Sequence, residues 1–145
     1  MKVISDIHAA ANARARDADN WIGRLHLLTD YLPTVQGRAR RYTYANALEL
    51  AYLAALVDAG VRPAKAVPWA DHLRRQARNE ELASGNLREW LVFPAQDQSK
   101  AVATDDLGQN WLEKFSGARA IKCIPARAIR NRVDKYFAEQ AWEEE

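Results

Sequence analysis

The longest stretch of periodic apolar residues spans positions 45–59 and is followed by Gly60. Leucine, alanine and tyrosine recur in it three and four residues apart, and further leucines and a valine widen the apolar stripe. A stripe this wide predicts a helix that is buried on more than one side. Thr43 is well suited to cap the start of this helix, and Gly60 suits the left-handed turn that ends one.

Two shorter helices are predicted ahead of it, at residues 6–12 and 18–28, with Ser5 and Asp17 as their N-caps. Asn12 tolerates the left-handed conformation that a tight turn between them requires. Two short helices joined by such a turn fit a helix-turn-helix. The apolar face of the second helix consists of Ala18, Trp21, Ile22, Leu25 and Leu28. Its polar face consists of Arg14, Arg16, Asp19, Asn20 and Arg24.

A fourth helix is predicted at residues 64–83, after the buried one. Pro63 suits its first turn, and Pro68 predicts a kink or a restart within it. The side chains expected to face inward are Trp69, Leu73, Ala77 and Leu82. Those expected to be exposed are Arg74, Arg75 and Arg78.

The pattern changes after Gly85, where short apolar runs alternate with turn residues. Strands are predicted at residues 89–93, 100–104 and 119–124, a short helix within 105–117, and a last helix from Pro125 to about residue 142. The chain is therefore expected to be α+β, with a mostly helical domain at 1–84 and a small hairpin, strand and helix module at 85–145. The apolar stripe of the last helix, a candidate dimerisation surface, consists of Ile129, Val133, Tyr136 and Phe137.

Composition favours a soluble cytoplasmic protein. Hydrophobic residues make up 48% of the 145 positions, which suffices for a real core. No apolar run approaches the roughly 20 residues of a membrane span, and the N-terminus lacks an apolar signal core. A single cysteine, Cys123, excludes an internal disulfide framework and a cysteine-based zinc site.

The net charge of +2 is unevenly distributed. Residues 1–79 carry 12 Lys and Arg against 7 Asp and Glu, whereas residues 80–145 carry 9 against 12. The first part is thus +5 and the second −3, which makes the first part the expected surface for a polyanion.

Catalytic and metal-binding signals are weak. The three histidines, His8, His26 and His72, lack metal-ligand or catalytic spacing. Cys123 is expected to be a buried, inert thiol in an apolar strand. Asp105 and Asp106 could act as an acid and base pair, but a role in capping a loop explains them more simply. The chain is therefore predicted not to be an enzyme and to use neither a cofactor nor a metal.

A nucleic-acid signal is stronger and centres on the segment 37–44. Pro33 predicts an irregular connector before it, Gln36 and Gly37 a turn, and residues 38–42 an arm that returns to the buried helix. Arginine binds guanine edges and phosphates, and tyrosine hydroxyls can donate to phosphates. The alternative is an ordinary basic loop with two aromatics packed on the third helix. The predicted DNA-binding residues are Arg14, Arg16, Asn20, Arg24, Arg38, Arg40, Arg41, Tyr42 and Tyr44.

Three segments resemble MerR-type regulators, and the resemblance covers residues 4–79. Residues 7–21 resemble the first two helices of that family, residues 37–44 its wing, and residues 48–66 its third helix and the glycine turn that follows. The chain resembles the compact MerR-like proteins of bacterial prophages more than the metal sensors of that family. The resemblance implies a winged helix-turn-helix domain, a homodimer on two-fold double-stranded DNA, and a role in transcription.

Three positions depart from the pattern of this family. Asn12 stands where glycine is usual, and His8 replaces a small buried residue. Asp19 stands where the family often has an arginine that contacts DNA; a carboxylate there repels phosphate unless it accepts from cytosine.

The leading hypothesis is a dimeric, sequence-specific transcriptional regulator that binds double-stranded DNA. One alternative is an excisionase-like architectural protein of recombination, which would bend DNA. Another is a phage-type adaptor whose basic arm meets an acidic protein instead of DNA. A contact with RNA polymerase or another protein, and the sign of regulation, are left open.

Overall fold

A computed structural model describes residues 2–78 and 87–139, together with the backbone of residues 143–144. These residues form an α+β fold, as predicted. The helices are α1 (Ile7–Ala11), α2 (Ala15–Arg24), α3 (Tyr44–Asp58), α4 (Pro63–Ala77), α5 (Trp111–Lys114) and α6 (Ala126–Glu139). The strands are β1 (Lys2–Ile4), β2 (Tyr42–Thr43), β3 (Trp90–Pro94), β4 (Val102–Thr104), β5 (Ile121–Ile124) and β6 (Glu143–Glu144).

The first antiparallel sheet joins distant parts of the chain. Its order is β2-β1-β6, and Val3 of β1 lies opposite Thr43 of β2. Neither β1 nor this pairing was predicted from the sequence. Because β2 leads directly into α3, the pairing places the end of the segment 25–41 beside the start of the chain and α1.

The two N-terminal helices are shorter than predicted. Asp6, not Ser5, caps α1, and its Oδ1 accepts from the Ala9 N–H at 3.2 Å. Asn12 adopts φ +53° and so makes the left-handed turn that was predicted. Helix α2 begins at Ala15 instead of residue 18, which puts Asp17 in its first turn, where a negative charge favours the helix dipole.

Helix α3 forms the centre of the fold and was predicted to within one residue. Thr43 and Asn46 make a reciprocal capping box at its start. Gly60 adopts φ +97° just after its end, where the left-handed conformation lets the N–H groups of Gly60 and Val61 bond back to α3 carbonyls. Helices α1, α4 and α6 all contact α3, which accounts for its wide apolar surface.

Helix α4 continues through Pro68 as one helix, so the predicted restart there is wrong. Leu73 and Ala77 face inward as predicted, while Trp69 is half-buried. Arg74 was expected to be exposed but is buried, with its guanidinium 2.6 Å from an Asp71 carboxylate oxygen. That ion pair permits a charge to be buried against the core. The prediction for Leu82 falls outside the described residues.

The three strands predicted after residue 85 are present: the first is shifted by one residue, and the other two are shorter than predicted. They make a second antiparallel sheet of order β4-β3-β5. The two aspartates between β4 and α5 cap loops. Asp105 accepts from the Glu89 N–H at 2.9 Å, and Asp106 accepts from the Gly108 N–H at 2.7 Å. Their side chains are thus used in the fold, as the simpler of the two interpretations expected.

One apolar core unites both predicted domains. The cluster that contains Leu48 and Leu53 of α3 also contains Leu91 and Phe93 of β3 and much of α6. This cluster crosses the proposed boundary at residue 85, while a second, smaller cluster of Val92, Trp111 and Phe115 lies wholly after it.

The stripe predicted as a dimerisation surface lies inside this core. Ile129, Val133 and Phe137 are buried, and Tyr136 is half-buried. We correct that prediction: the first three side chains pack within one chain, since α6 lies against α3. The stripe is fully explained by intramolecular packing.

Candidate nucleic-acid interface

Helix α2 presents one polar stripe to solvent. Ala18 and Trp21 are buried, while Arg16, Asn20 and Arg24 are exposed. The spacing of four residues puts these three on one side of the helix. We refer to Arg16, Asn20 and Arg24 as the α2 stripe. Two guanidinium groups and an amide in this order can bond both phosphates and base edges.

Acidic side chains moderate the positive charge of this helix. Arg14 lies at the N-cap, with its Nε 3.2 Å from an Asp17 carboxylate oxygen. An exposed ion pair of this kind contributes at most about 1 kcal/mol, so Arg14 can exchange partners at little cost. Asp19 is exposed beside the α2 stripe. Its carboxylate would repel a phosphate placed directly against it.

The 25–41 loop connects α2 to β2 and turns where the sequence predicted. Gly37 has φ +78°, and the Arg38 N–H donates to the Val35 carbonyl at 3.2 Å. Arg38 and Val35 are exposed at this turn. The tip of the loop therefore presents one guanidinium and one apolar side chain to solvent.

The root of the loop is built from aromatic rings and one arginine. Tyr31 and Tyr42 meet edge to face with ring centroids 6.2 Å apart. The Arg40 guanidinium carbon lies 5.9 Å from the Tyr31 ring centroid and 5.7 Å from that of Tyr42. These distances allow cation–π attraction to both rings. We refer to Tyr31, Arg40 and Tyr42 as the loop root.

This packing reduces the accessibility of two predicted DNA-binding side chains. Tyr42 is buried in the core, and burial raises the pKa of its hydroxyl, an effect that the nearby Arg40 charge opposes. Arg40 is half-buried, and its Nε is enclosed without a hydrogen-bond partner in the described part of the chain. Both side chains pack against other parts of the protein. This packing makes them less accessible to a ligand. Arg41 is also half-buried.

Tyr44 is likewise engaged inside the protein. Its hydroxyl donates to the Asp134 carboxylate on α6, and its ring meets Phe137 edge to face at 5.4 Å. Burial, followed by the bond to Asp134, raises the pKa of Tyr44. The predicted phosphate contact is therefore replaced by a link between the start of α3 and α6.

Sequence reasoning missed Glu49, a completely buried carboxylate in the middle of α3. One oxygen accepts from the N–H groups of Leu28 and Thr29, both at 3.1 Å, and the other accepts from the Tyr31 hydroxyl at 3.2 Å. Burial raises the pKa of Glu49, while the donors from residues 28–31 act in the opposite direction. The signal in the sequence was an acidic residue between two leucines in the middle of the apolar run 45–59.

Glu49 also accepts N–H groups that a longer α2 would use in its own hydrogen bonds. In a longer helix the N–H groups of Leu28 and Thr29 would donate to carbonyls four residues earlier. They donate instead to Glu49, and Leu25 is already extended at φ −86° and ψ 144°. Leu28, predicted to face the core, is consequently 53% exposed.

Other chemistry has little support among the described residues. Within residues 2–78 and 87–139, no group of three or more His, Cys, Asp or Glu side chains is placed to hold a metal ion. Cys123 was expected to be buried but is exposed, because it points away from the core on an edge strand. Of the helices described, none is long and apolar enough to cross a membrane.

Comparison with known proteins does not identify a relative: no family model matches the chain, and no curated protein matches it significantly. The surface features that could meet a ligand are therefore the α2 stripe and the exposed turn of the 25–41 loop.

Proposed function

We propose that this protein is a sequence-specific transcriptional regulator that binds double-stranded DNA. The observation that carries the proposal is the α2 stripe: Arg16, Asn20 and Arg24 are exposed together on a helix whose other side is held by buried Ala18 and Trp21. The left-handed turn at Asn12 joins this helix to α1. Two short helices in this arrangement suit insertion of the second into a major groove.

Each exposed side chain has a role in the proposal. Arg16 and Arg24 bond guanine edges or phosphates, and Asn20 bonds an adenine. Arg38, at the tip of the 25–41 loop, contacts the phosphate backbone beside the groove. The loop root holds the exposed turn of the 25–41 loop in place and does not contact DNA.

Selection of bound fragments from random double-stranded DNA tests the proposal. The wild-type protein should enrich a defined motif, and the Arg16→Ala/Asn20→Ala variant should lose that enrichment. The matched control is Asn131→Ala/Arg132→Ala, which removes the same two residue types from exposed positions of α6. Equal enrichment by the wild-type protein and the Arg16→Ala/Asn20→Ala variant would contradict the proposal.

Two other outcomes would favour the alternative functions. Strong bending of the selected DNA, with tandem instead of two-fold sites, would indicate an architectural protein of recombination. Absence of duplex binding even at low salt would indicate an adaptor for an acidic protein. Sedimentation of the complex measures the copies of the chain bound, and a dimer on DNA would need a surface other than the buried stripe of α6.

A further inference from the structure

The buried Glu49 carboxylate requires an explanation beyond the stability of α3. Its neighbours Leu48 and Leu50 are also completely buried, so the carboxylate lies in an apolar setting. Burying an ionisable group is costly unless hydrogen bonds compensate. An apolar side chain of similar size often stabilises a core at least as well as a buried charge. Stability alone therefore gives no reason for a glutamate at this position.

All three donors to Glu49 come from one short segment, residues 28–31. Asn46, one turn earlier on α3, bonds the same segment, since its Nδ2 donates to the Asp30 carbonyl at 3.0 Å. We refer to Asn46 and Glu49 as the clamp. The clamp holds consecutive residues of the 25–41 loop by both backbone and side chain, just after the loop leaves α2.

The clamp is connected to the far end of the loop through Tyr31. The hydroxyl of Tyr31 donates to Glu49, while its ring packs against Tyr42 and beneath the Arg40 guanidinium. Tyr42 in turn begins β2 and is paired with Ile4 of β1. The two ends of the loop are thus tied to each other and to α3, and the exposed turn with Arg38 lies between them.

We propose that Glu49 is a positioning residue, which fixes the start of the 25–41 loop and thereby sets where Arg38 stands relative to the α2 stripe. This inference depends on the proposed function, because it assigns Glu49 an effect on DNA affinity without contact to DNA. Glu49 lowers the conformational entropy of the loop in the free protein, so less entropy is lost when the loop binds a phosphate.

The test compares Glu49→Gln with the wild-type full-length chain in two measurements. Hydrogen exchange of the free protein reports on the loop. The Leu28 and Thr29 amides share one carboxylate oxygen, and they should exchange faster in the variant because the neutral amide oxygen that replaces it is a weaker acceptor. Binding to the selected fragment should weaken by about tenfold, the order of effect expected when the charge is removed from these hydrogen bonds. The slope of log K against log salt should stay unchanged, because no phosphate contact is removed.

Three further variants separate positioning from general stability. Tyr31→Phe removes a single bond of Glu49 and should show the same two effects at smaller size. Val133→Ala opens a cavity at a buried position of α6, an element outside both the loop and α3, and should lower stability without changing loop exchange or DNA affinity. Arg38→Ala should lower the salt slope by about 1 while leaving exchange at residues 28–31 as in the wild-type protein.

The outcomes distinguish the inference from the proposed function. If the wild-type protein binds no duplex, the proposed function fails, and exchange at residues 28–31 still decides whether Glu49 holds the loop. If the wild-type protein binds DNA but Glu49→Gln and Tyr31→Phe match it in affinity and exchange, the positioning role is overturned. It is also overturned if Val133→Ala weakens binding as much as Glu49→Gln does.

Discussion

The α2 stripe and the loop root are both rich in polar and charged side chains, yet they use them in different ways. In the α2 stripe the arginines extend into solvent from a helix anchored by Ala18 and Trp21. In the loop root Arg40 lies against two tyrosine rings, one of which is buried in the core. Of the three arginines at positions 38–41, Arg40 and Arg41 are half-buried, and Arg38 is exposed.

The difference comes from the neighbours of each arginine and not from the number of arginines. A helix on the protein surface buries one side and leaves the opposite side exposed. Residues four apart on α2 therefore have a similar degree of exposure. A loop without regular structure must satisfy its backbone and bury its aromatics by irregular contacts, and a nearby guanidinium is a good partner for those rings. Arginine density therefore predicts a basic segment but not which of its side chains can meet a ligand.

The largest expected effect is on the stability of the loop root. Tyr42→Ala should lower the free energy of unfolding by about 3–5 kcal/mol, the usual cost of deleting a buried aromatic ring. Urea unfolding followed by tryptophan fluorescence measures this. Tyr42→Phe, which keeps the ring, should retain most of the stability. A Tyr42→Ala variant as stable as the wild-type protein would show that the loop root is not part of the core.

A single substitution in the α2 stripe should lower the affinity for DNA and leave the stability of the protein nearly unchanged. Arg16→Ala should weaken binding to the selected fragment by about 1–3 kcal/mol, while the free energy of unfolding should change by no more than about 0.5 kcal/mol. Fluorescence anisotropy and urea unfolding of the same preparation measure the two. Arg132→Ala, an exposed arginine of α6, is the control and should change neither. A loss of stability equal to the loss of affinity would remove the distinction between the two regions.

Arg38 and Arg40 lie two residues apart, yet their alanine variants should differ in stability and in the salt dependence of DNA binding. Arg40→Ala should lower stability by about 1 kcal/mol, because the cation–π contacts to the tyrosines are lost, and should leave the salt slope of binding unchanged. Arg38→Ala should leave stability unchanged and lower the slope by about 1. Binding titrations at several salt concentrations measure both slopes. If the two variants exchange these profiles, Arg40 contacts the phosphate backbone and the loop root opens on binding.

The smallest effect is the pH dependence that Glu49 brings to the fold. Burial raises the pKa of Glu49 above its ordinary value, so its contribution to stability is fully present below the unfolded-state pKa of about 4.3. That contribution is lost as the pH rises through the higher folded-state pKa. Relative to Glu49→Gln, the wild-type protein should therefore become less stable as the pH rises from the unfolded-state pKa of Glu49 to its folded-state pKa. Urea unfolding of both proteins at a series of pH values measures the difference, and a difference that grows with pH would show that the donors outweigh burial.

Features that depend on a few neighbouring residues could be read from the sequence. Helix α3 was predicted to within one residue at each end, because the Thr43 cap and the Gly60 turn act within a single helical turn. The left-handed Asn12 and the turn at Gly37 were predicted for the same reason. The exposure of Arg16, Asn20 and Arg24 was predicted correctly, although α2 starts earlier than expected.

Features that depend on distant residues were decided only by the tertiary structure. Glu49 bonds residues 18 to 21 positions earlier in the chain, all of them beyond the end of α2. The Tyr44 hydroxyl meets Asp134, 90 positions away. The apolar stripe of α6 had the pattern of a dimer surface, because a helix face looks the same whether it packs on its own chain or on a second copy.

The sequence thus determined which segments are helical, where the turns fall and which side of α2 is polar, since each depends on local hydrogen bonding and side-chain periodicity. The tertiary structure decided which arginines and tyrosines remain available. That choice depends on competition between solvent, aromatic rings and carboxylates brought together from far along the chain.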